Sequence, residues 1–425
     1  MFNLHDELNW RGLVNQVTHP DLGKRLQEGR FSVYAGFDPT ADSLHIGHLM
    51  GIIGLMHFQR AGHRPIALVG GATGMVGDPS GKTEERKLQD SDALSANSEA
   101  IRGQLSRFLD FAGKDGALLV NNADWLGKLT LVDFLRDIGK HFSVNAMVAR
   151  ESVRARLEDR EHGISYTEFS YMLLQAYDFL HLYDAHGCKL QVGGSDQWGN
   201  IVSGMDLIRR LRNDETFGLT WPLVTKTDGT KFGKTETGTV WLEAKRTSPY
   251  KFYQFWINQA DAETPKWLRT FTFLGRDEIT ALEAEIQAAP EKRVAQRRLA
   301  EEVTAMVHGA EALANAQKAT EAMFGGSLLG LDDATLEDVF SEVPTAELSR
   351  SLLDGGHLLL EVLAQCGVFR SKGEGRRLVQ NGGLYLNNER IGAEDAKLTE
   401  QSLCGECIAV VRTGKKNYHL LKFVG

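Results

Sequence analysis

Phe31-Ser-Val-Tyr-Ala-Gly-Phe37 reads as a short strand, closed by the turn residues Asp38-Pro39-Thr40. Just beyond it, Ile46, Leu49, Met50, Ile53 and His57 fall on one face of a helix. Gly62 and Pro65 interrupt that pattern, and Ile66-Ala-Leu-Val69 follows as a buried strand running into Gly70-Gly-Ala-Thr-Gly74. Strand, helix and strand in so short a span predict a parallel βαβ unit. The pattern continues with Ala117-Leu-Leu-Val120, a helix near 131–138, an apolar helix around 169–182, and Lys189-Leu-Gln-Val192, which ends in Gly193-Gly-Ser-Asp196. In open α/β sheets ligands sit beyond the carboxyl ends of the strands, so the site is expected at the polar loops that follow three of these strands.

Outward from this core the pattern changes. Residues 250–324 show helical periodicity with many Ala, Glu and Lys, which predicts a helical second domain. Residues 325–356 are thin in large apolar groups and carry Gly325-Gly326, Pro344 and Gly355-Gly356, so they read as a linker. The last segment opens with a helix pattern (Leu358, Leu359, Val362, Leu363). Short strands follow at Leu384-Tyr-Leu386, Ile408-Ala-Val-Val411 and 418–423, the last two joined by Gly414-Lys-Lys-Asn417. No internal repeat is visible.

The chain of 425 residues fits two or three domains. Its 42% apolar and 24% charged residues exclude disorder as the main state. No apolar run reaches the roughly 18 residues of a membrane span. The opening Met1-Phe-Asn-Leu-His-Asp-Glu7 lacks a basic flank and apolar stretch, which argues against a secretory signal. Four cysteines do not make a disulfide scaffold, and a cytoplasmic location is expected. The net charge of −8 is unevenly spread. Residues 357–425 hold ten Lys or Arg against seven Asp or Glu, a net of +3, and the remainder carries −11. An acidic body with a basic end leaves room for a local nucleic-acid site.

His45-Ile-Gly-His48 falls at the start of the first helix. A helix N-terminus offers unpaired N–H groups and partial positive charge, which suits phosphate. Gly47 lets a flat group approach the backbone, and two imidazoles can donate to phosphate or ribose oxygens. Two other readings stay open on the residues alone: a metal site, for which a third ligand is not adjacent, and a plain capping pair. Gly77-Asp-Pro-Ser-Gly-Lys-Thr83 is not a P-loop, because only three residues separate Gly77 from Gly81-Lys82-Thr83 where four are needed. Lys82 and Arg86 still form a cationic loop. Thr230-Lys-Phe-Gly-Lys-Thr235, after the strand candidate Pro222-Leu-Val-Thr225, brackets a glycine with two lysines and suits a polyphosphate leaving group. Cys404-Gly-Glu-Cys407 lacks the second ligand pair a structural zinc requires, and no metal site is expected. The chain has no G-x-S-x-G, no kinase set and no full dinucleotide fingerprint, so a covalent nucleophile has no support.

H-I-G-H after the first strand, with K-F-G-K-T at 231–235, resembles the signature pair of class I aminoacyl-tRNA synthetases, whose second motif is usually K-M-S-K-S. Phe232 and Gly233 in its middle are familiar in the tyrosyl enzymes. Further stretches are similar to those enzymes: Tyr34-Ala-Gly-Phe-Asp-Pro-Thr40, Val69-Gly-Gly-Ala-Thr-Gly74 with Gly77-Asp-Pro-Ser80, and Asp137-Ile-Gly-Lys-His-Phe142. So are Tyr171-Met-Leu-Leu-Gln-Ala-Tyr-Asp178, Gln191-Val-Gly-Gly-Ser-Asp-Gln-Trp-Gly-Asn200 and Ser248-Pro-Tyr-Lys-Phe-Tyr-Gln-Phe-Trp-Ile257. Over nearly its whole length the chain resembles the bacterial-type tyrosyl-tRNA synthetases.

The resemblance implies a Rossmann-type α/β catalytic domain over 1–245 and an α-helical anticodon-side domain over 246–324. It further implies a linker over 325–356 and a small α+β RNA-binding domain, similar to one in a ribosomal protein, over 357–425. It also implies activation of tyrosine by ATP with Mg²⁺, then transfer to tRNA(Tyr), in a homodimer built through 137–142 and the following helix. By matching motif, Thr40 and His45 would bind the γ-phosphate, and His48 the ribose and adenine end, with Gly47 beneath the nucleotide. Lys82, Arg86, Lys231, Lys234 and Thr235 would surround pyrophosphate. Gly36, Asp38, Gly194 and Asp196 would complete the ATP and adenylate site. Gln197 would meet the tyrosine carboxylate, Asp78, Tyr171 and Gln175 its ammonium, and Tyr34 and Asp178 its hydroxyl. Arg376, Arg377, Arg412, Lys415, Lys416 and Lys422 would face tRNA. The rival readings are a tryptophanyl synthetase, another H-I-G-H nucleotidyltransferase, and a non-catalytic RNA-binding relative.

Overall fold

Strand β2 (Ser32–Phe37) lies in the middle of a six-stranded sheet. The computed structural model describes residues 3–80, 90–158, 163–225, 232–235, 238–323, 325–414 and 417–425. The other strands are β1 (Gln16–Val17), β3 (Arg64–Val69), β4 (Leu118–Asn121), β5 (Cys188–Gly194) and β6 (Phe217–Trp221), in the order β1-β6-β5-β2-β3-β4. All run parallel except β1, which pairs antiparallel with β6 at one edge. Val33, Tyr34, Ala35, Ile66, Ala67, Leu68, Leu190 and Val192 are all buried, the unbroken apolar runs of a sheet covered on both faces.

The chain fills β2, β3 and β4 toward one edge, then crosses back to lay β5 and β6 on the other side of β2. The strand order therefore reverses between β2 and β5, and a crevice opens at their carboxyl ends. β6 corrects the strand expected at 222–225: the strand is Phe217–Trp221 and stops before Pro222, which has no N–H to give to a ladder. The helix Ile46–Arg60 follows β2 as the apolar spacing requires. The helix Tyr166–His186 starts on Ser165, whose hydroxyl accepts the Glu168 N–H, and ends on Gly187 with φ 61°. Its first turn is pinned by a buried bidentate pair, Arg156 Nη1 and Nη2 to Glu168 Oε1 and Oε2 at 3.2 and 2.8 Å.

Packing divides the chain into two units, Met1–Arg246 with Gln259–Leu299, and Thr247–Asn258 with Ala300–Gly425. The helices expected over 246–324 are present, but they do not make a unit of their own. Thr264–Phe271 and Arg276–Ala288 belong to the first, Pro249–Ile257 and Ala310–Ala322 to the second.

The second unit is built on a five-stranded sheet of Glu389–Arg390, Leu384–Leu386, Ile408–Thr413, Asn417–Val424 and Thr345–Ser349, in that order. Alternation along Ile408–Thr413 loads both faces. Ala409 and Val411 meet Leu359, Leu363 and Val379, while Ile408 and Val410 meet Ala319, Leu336 and Phe340. The linker expected over 325–356 is instead part of this fold. Of its large apolar residues, Leu328, Leu331, Leu336, Val339, Phe340 and Leu353 are buried, Val343, Leu348 and Leu352 are partly buried, and Leu329 is exposed, while Thr345–Ser349 pairs in parallel with the last strand. Low apolar density hid a segment in which nearly every large residue packs. The Cys404–Cys407 turn wraps a carboxylate: Asp333 accepts from the N–H groups of Glu406 and Cys407 and from the Cys407 thiol at 2.9–3.0 Å.

Candidate active site

The phosphate-facing end is set by the helix Ile46–Arg60, with His45 as its N-cap. The Gly47 N–H donates to His45 Nδ1 at 3.0 Å, and the His45 N–H donates to His48 Nδ1 at 3.2 Å. The two rings stack with centroids 3.9 Å apart and planes 21° apart. Both Nδ1 atoms face backbone donors, so each neutral ring carries its proton on Nε2. The capping role is thus real, and it fixes two imidazoles with their donors turned to Nε2 at the positive end of a helix. A Cβ on Gly47 would lie 2.8 Å from His45 Cε1, so the stack requires glycine there.

The opposite end of the crevice is floored by Asp178. It is 2% exposed, and its Oδ2 and Oδ1 accept from Asn122 Nδ2 at 2.9 Å and Trp125 Nε1 at 2.7 Å. Burial pushes its pKa up to about 7 against the pull of those two donors, with Asp38 adding to the rise. Tyr34, on β2, is 1% exposed, and its hydroxyl has no hydrogen-bond partner among the described residues. Burial first, then the neighbouring Asp178, raise its phenol well above the ordinary value.

Asn122 is the hub of this end. Its Oδ1 accepts the Ala72 N–H at 2.8 Å, and its amide also donates to Thr73 Oγ1 at 3.0 Å. Thr73 donates on to Asp38 Oδ1 at 2.8 Å, and Asp38 Oδ2 accepts from the Tyr171 hydroxyl at 3.0 Å. Burial, followed by Asp38, raises the Tyr171 phenol.

A second network lies between these ends. Gln197 Nε2 donates to Asp78 Oδ2 at 2.7 Å and to Asp196 Oδ2 at 3.2 Å, while its Oε1 accepts from Gln175 at 3.1 Å. Asn200 donates to Gln175 Oε1 at 2.9 Å. A Cβ on Gly194 would lie 2.4 Å from Asp196 Oδ1, so a side chain there would displace that carboxylate. Tyr171, Gln175 and Asp178 reach the crevice from one face of the helix Tyr166–His186, at spacings of four and three. Gly36 is exposed on β2, and Thr40 lies in the turn beyond it with its N–H on the Asp38 carbonyl at 2.9 Å.

The structure thus gathers Tyr34, Gly36, Asp38, Thr40, His45, Gly47, His48, Asp78, Tyr171, Gln175, Asp178, Gly194, Asp196 and Gln197 at or beside the strand ends. Lys82, Arg86, Lys231, Lys415 and Lys416 lie outside the described residues. Lys234 and Thr235 are described by their backbone, which pairs antiparallel with Gly238–Thr239. In the second unit Arg376 and Arg377 are exposed, with Arg376 paired to Glu394 at 3.5 Å. The Arg412 guanidinium lies 3.7 Å from the Tyr385 ring centroid and donates to Asn388 Oδ1, and Lys422 pairs with Glu337. Asn122, Trp125, Thr73 and Asn200 were not singled out by sequence reasoning. Asn121-Asn122 at the end of β4 was the available signal, a fourth polar turn at a strand end.

A crevice at the switch point of a parallel sheet, with capping imidazoles at one end and a buried carboxylate at the other, fits a class I aminoacyl-tRNA synthetase, and the family model shows that class. The family model for tRNA synthetases class I (W and Y) matches residues 26–325. The tyrosine–tRNA ligase SYY-like C-terminal domain matches 335–421. The tyrosine–tRNA ligase of Roseiflexus castenholzii is 54% identical over 427 residues and 100% of both chains. That of Geobacillus stearothermophilus is 54% identical over 421 residues, 98% of this chain and 99% of its own. A C-terminally truncated mitochondrial tyrosyl-tRNA synthetase of Aspergillus nidulans has a TM-score of 0.69 at 31% identity, covering 76% of this chain and 95% of that one. The chain belongs to the tyrosyl-tRNA synthetases. It is a ligase that joins tyrosine to tRNA(Tyr) in an ATP-dependent reaction, and the tryptophanyl alternative is set aside. Among the described residues no helix is long and apolar enough to cross a membrane.

Proposed function

We propose that tyrosine binds with its hydroxyl between Tyr34 and Asp178, its ammonium near Asp78, Tyr171 and Gln175, and its carboxylate end toward Gln197. The observation that carries this reading is the Tyr34 hydroxyl, without a hydrogen-bond partner among the described residues, next to a buried, doubly held carboxylate. A substrate phenol satisfies both, donating to Asp178 and accepting from Tyr34. Gly36, Asp38, Gly47, Gly194, Asp196 and His48 then hold the nucleotide, and Thr40 and His45 face the γ-phosphate. Lys82, Arg86, Lys231, Lys234 and Thr235 surround the departing pyrophosphate.

The tyrosine carboxylate attacks the α-phosphorus, the bond to the bridging oxygen breaks, and pyrophosphate leaves with the electron pair. The nucleophile is already ionised at neutral pH, so the protein aligns and offsets charge rather than removing a proton. Magnesium is proposed to arrive on the ATP phosphates. Tyrosine-dependent exchange of pyrophosphate into ATP, with magnesium and without tRNA, tests the pocket. Exchange is expected with tyrosine and not with tryptophan or phenylalanine. Exchange with tryptophan would sink this reading of Tyr34 and Asp178.

The helical segments after residue 246 and the basic end, with Arg376, Arg377, Arg412, Lys415 and Lys416, are proposed to meet tRNA, in a cytoplasmic enzyme. A homodimer is proposed through 137–142 and the following helix, extended on the N-terminal side to 131 by exposed apolar residues. Leu131, Val132, Leu135 and Val144 are large, apolar and exposed within this short stretch. The substitution pair Leu131→Asp and Val144→Asp is expected to convert a two-chain particle into single chains in sedimentation. A parent protein that sediments as one chain would refute the dimer.

A further inference from the structure

The middle of K-F-G-K-T is anchored, and its anchor ties it to H-I-G-H. Phe232 is 5% exposed, with its ring centroid 4.0 Å from that of Trp267 and 5.8 Å from that of Phe271. Both partners are fully buried on the helix Thr264–Phe271. The far end of that helix is itself fixed, since the buried Arg11 guanidinium donates to the carbonyls of Arg269, Thr272 and Leu274 at 2.7–3.0 Å. Next to Phe232, Gly233 has φ +80°, and a Cβ there would lie 3.3 Å from Ile46 Cβ.

The main chain repeats this link. The Gly233 carbonyl accepts the Val240 N–H at 2.8 Å, and the Val240 carbonyl accepts the Ile46 N–H at 3.1 Å. One residue thus bonds to the second motif through its N–H and to the first through its C=O. On the entry side the Phe232 N–H donates to the Val224 carbonyl at 3.1 Å, and Lys266 holds the Thr225 carbonyl at 3.1 Å.

We propose that Phe232 is a positioning residue for adenylate formation: its aromatic seat on Trp267 and Phe271, with the Val240 relay, ties the main chain of the second motif to the helix that carries His45 and His48. This rests on the reading that Lys231 and Lys234 act on the polyphosphate. A rigid fulcrum matters because those lysines stabilise charge that develops during the step, and a misplacement near 1 Å costs about 100-fold in rate.

The test is tyrosine-dependent pyrophosphate exchange on the full chain. Phe232→Ala is expected to lower kcat by about 10- to 100-fold, with KM for tyrosine within about twofold of the parent. Phe232→Leu, which keeps apolar volume, restores part of the loss. The Phe232→Ala, Lys231→Ala, Lys234→Ala variant is expected to be about as slow as the Lys231→Ala, Lys234→Ala variant, because Phe232 acts through the two lysines. Losses that simply multiply, or a Phe232→Ala kcat within about twofold of the parent, would overturn the proposal. Lys231→Ala and Lys234→Ala without effect would instead remove the role of the motif, which is a separate failure. If Phe232→Ala no longer binds tyrosine in equilibrium dialysis, Trp267→Phe carries the same test with an expected loss of about 3- to 10-fold.

Discussion

Asp178→Asn is expected to lower kcat/KM for tyrosine by about 100-fold or more while leaving phenylalanine, at its low level, nearly unchanged. A hydrogen bond to a charged group contributes about 1.5–3 kcal/mol, or roughly 10- to 150-fold. The substitution does more than remove the charge. Trp125 Nε1–H points at one carboxylate oxygen and the Asn122 amide at the other. Whichever way a new amide is turned, its NH₂ group faces one of these donors. One buried donor is then left without an acceptor, which costs about a further 1–3 kcal/mol. Phenylalanine has no hydroxyl to lose, so discrimination between the two amino acids narrows by the loss suffered by tyrosine. Exchange kinetics with both substrates measure it. Unchanged discrimination would show that the hydroxyl is read elsewhere.

The same carboxylate gives a pH dependence with a definite sign. Asp178 titrates near 7 in the folded protein, against about 3.9 when unfolded. Its contribution to stability is therefore fully present below about pH 4 and is lost as the pH rises through 7. Substrate binding runs the other way, because the tyrosine hydroxyl donates to the ionised form. The kcat/KM for tyrosine is expected to rise from pH 6 and level off above about 7.5. Asp178→Asn should abolish that acid limb. A limb that survives the substitution belongs to another group.

The parallel core was legible because β2, β3 and β5 are short apolar runs ending in polar turns, glycine-rich at β3 and β5, and local pattern and tertiary role agree there. The first helix was legible for the same reason. The segment 325–356 was not. Thr345–Ser349 alternates, but its pairing partner lies about 75 residues downstream, and no local signal announces a parallel pair so distant. Within the site, residues belonging to a dense motif were found and isolated ones were missed. Asn122 looks like any turn asparagine in the sequence, and its role appears when β4 sets it beside Thr73 and Asp178. Pro222 misled in the opposite direction, since the apolar run around it begins where the strand has already ended.

Gly47→Ala is expected to reduce the kcat of pyrophosphate exchange by about 100-fold, although it adds one methyl group at an exposed position on a helix. By propensity alone alanine should strengthen that helix by roughly 1 kcal/mol. The opposing effect is steric and local. The new Cβ would lie 2.8 Å from His45 Cε1 and 3.0 Å from its Nδ1, so the imidazole must leave its place on the Gly47 N–H. That movement also breaks the stack on His48, whose Nδ1 takes the His45 N–H, and so both imidazoles lose their setting at once. Tyrosine affinity should hold, because among the described residues the hydrogen bonds of Asp78 and Asp178 run to Ser80, Gln197, Asn122 and Trp125. The thermal midpoint should stay level or rise. His45→Ala should produce a loss of similar size, and the combined variant should be little worse than either, since both act by removing the same ring. A Gly47→Ala enzyme with parental kcat would mean that the His45 stack is only a cap, and that the phosphates are held by other groups.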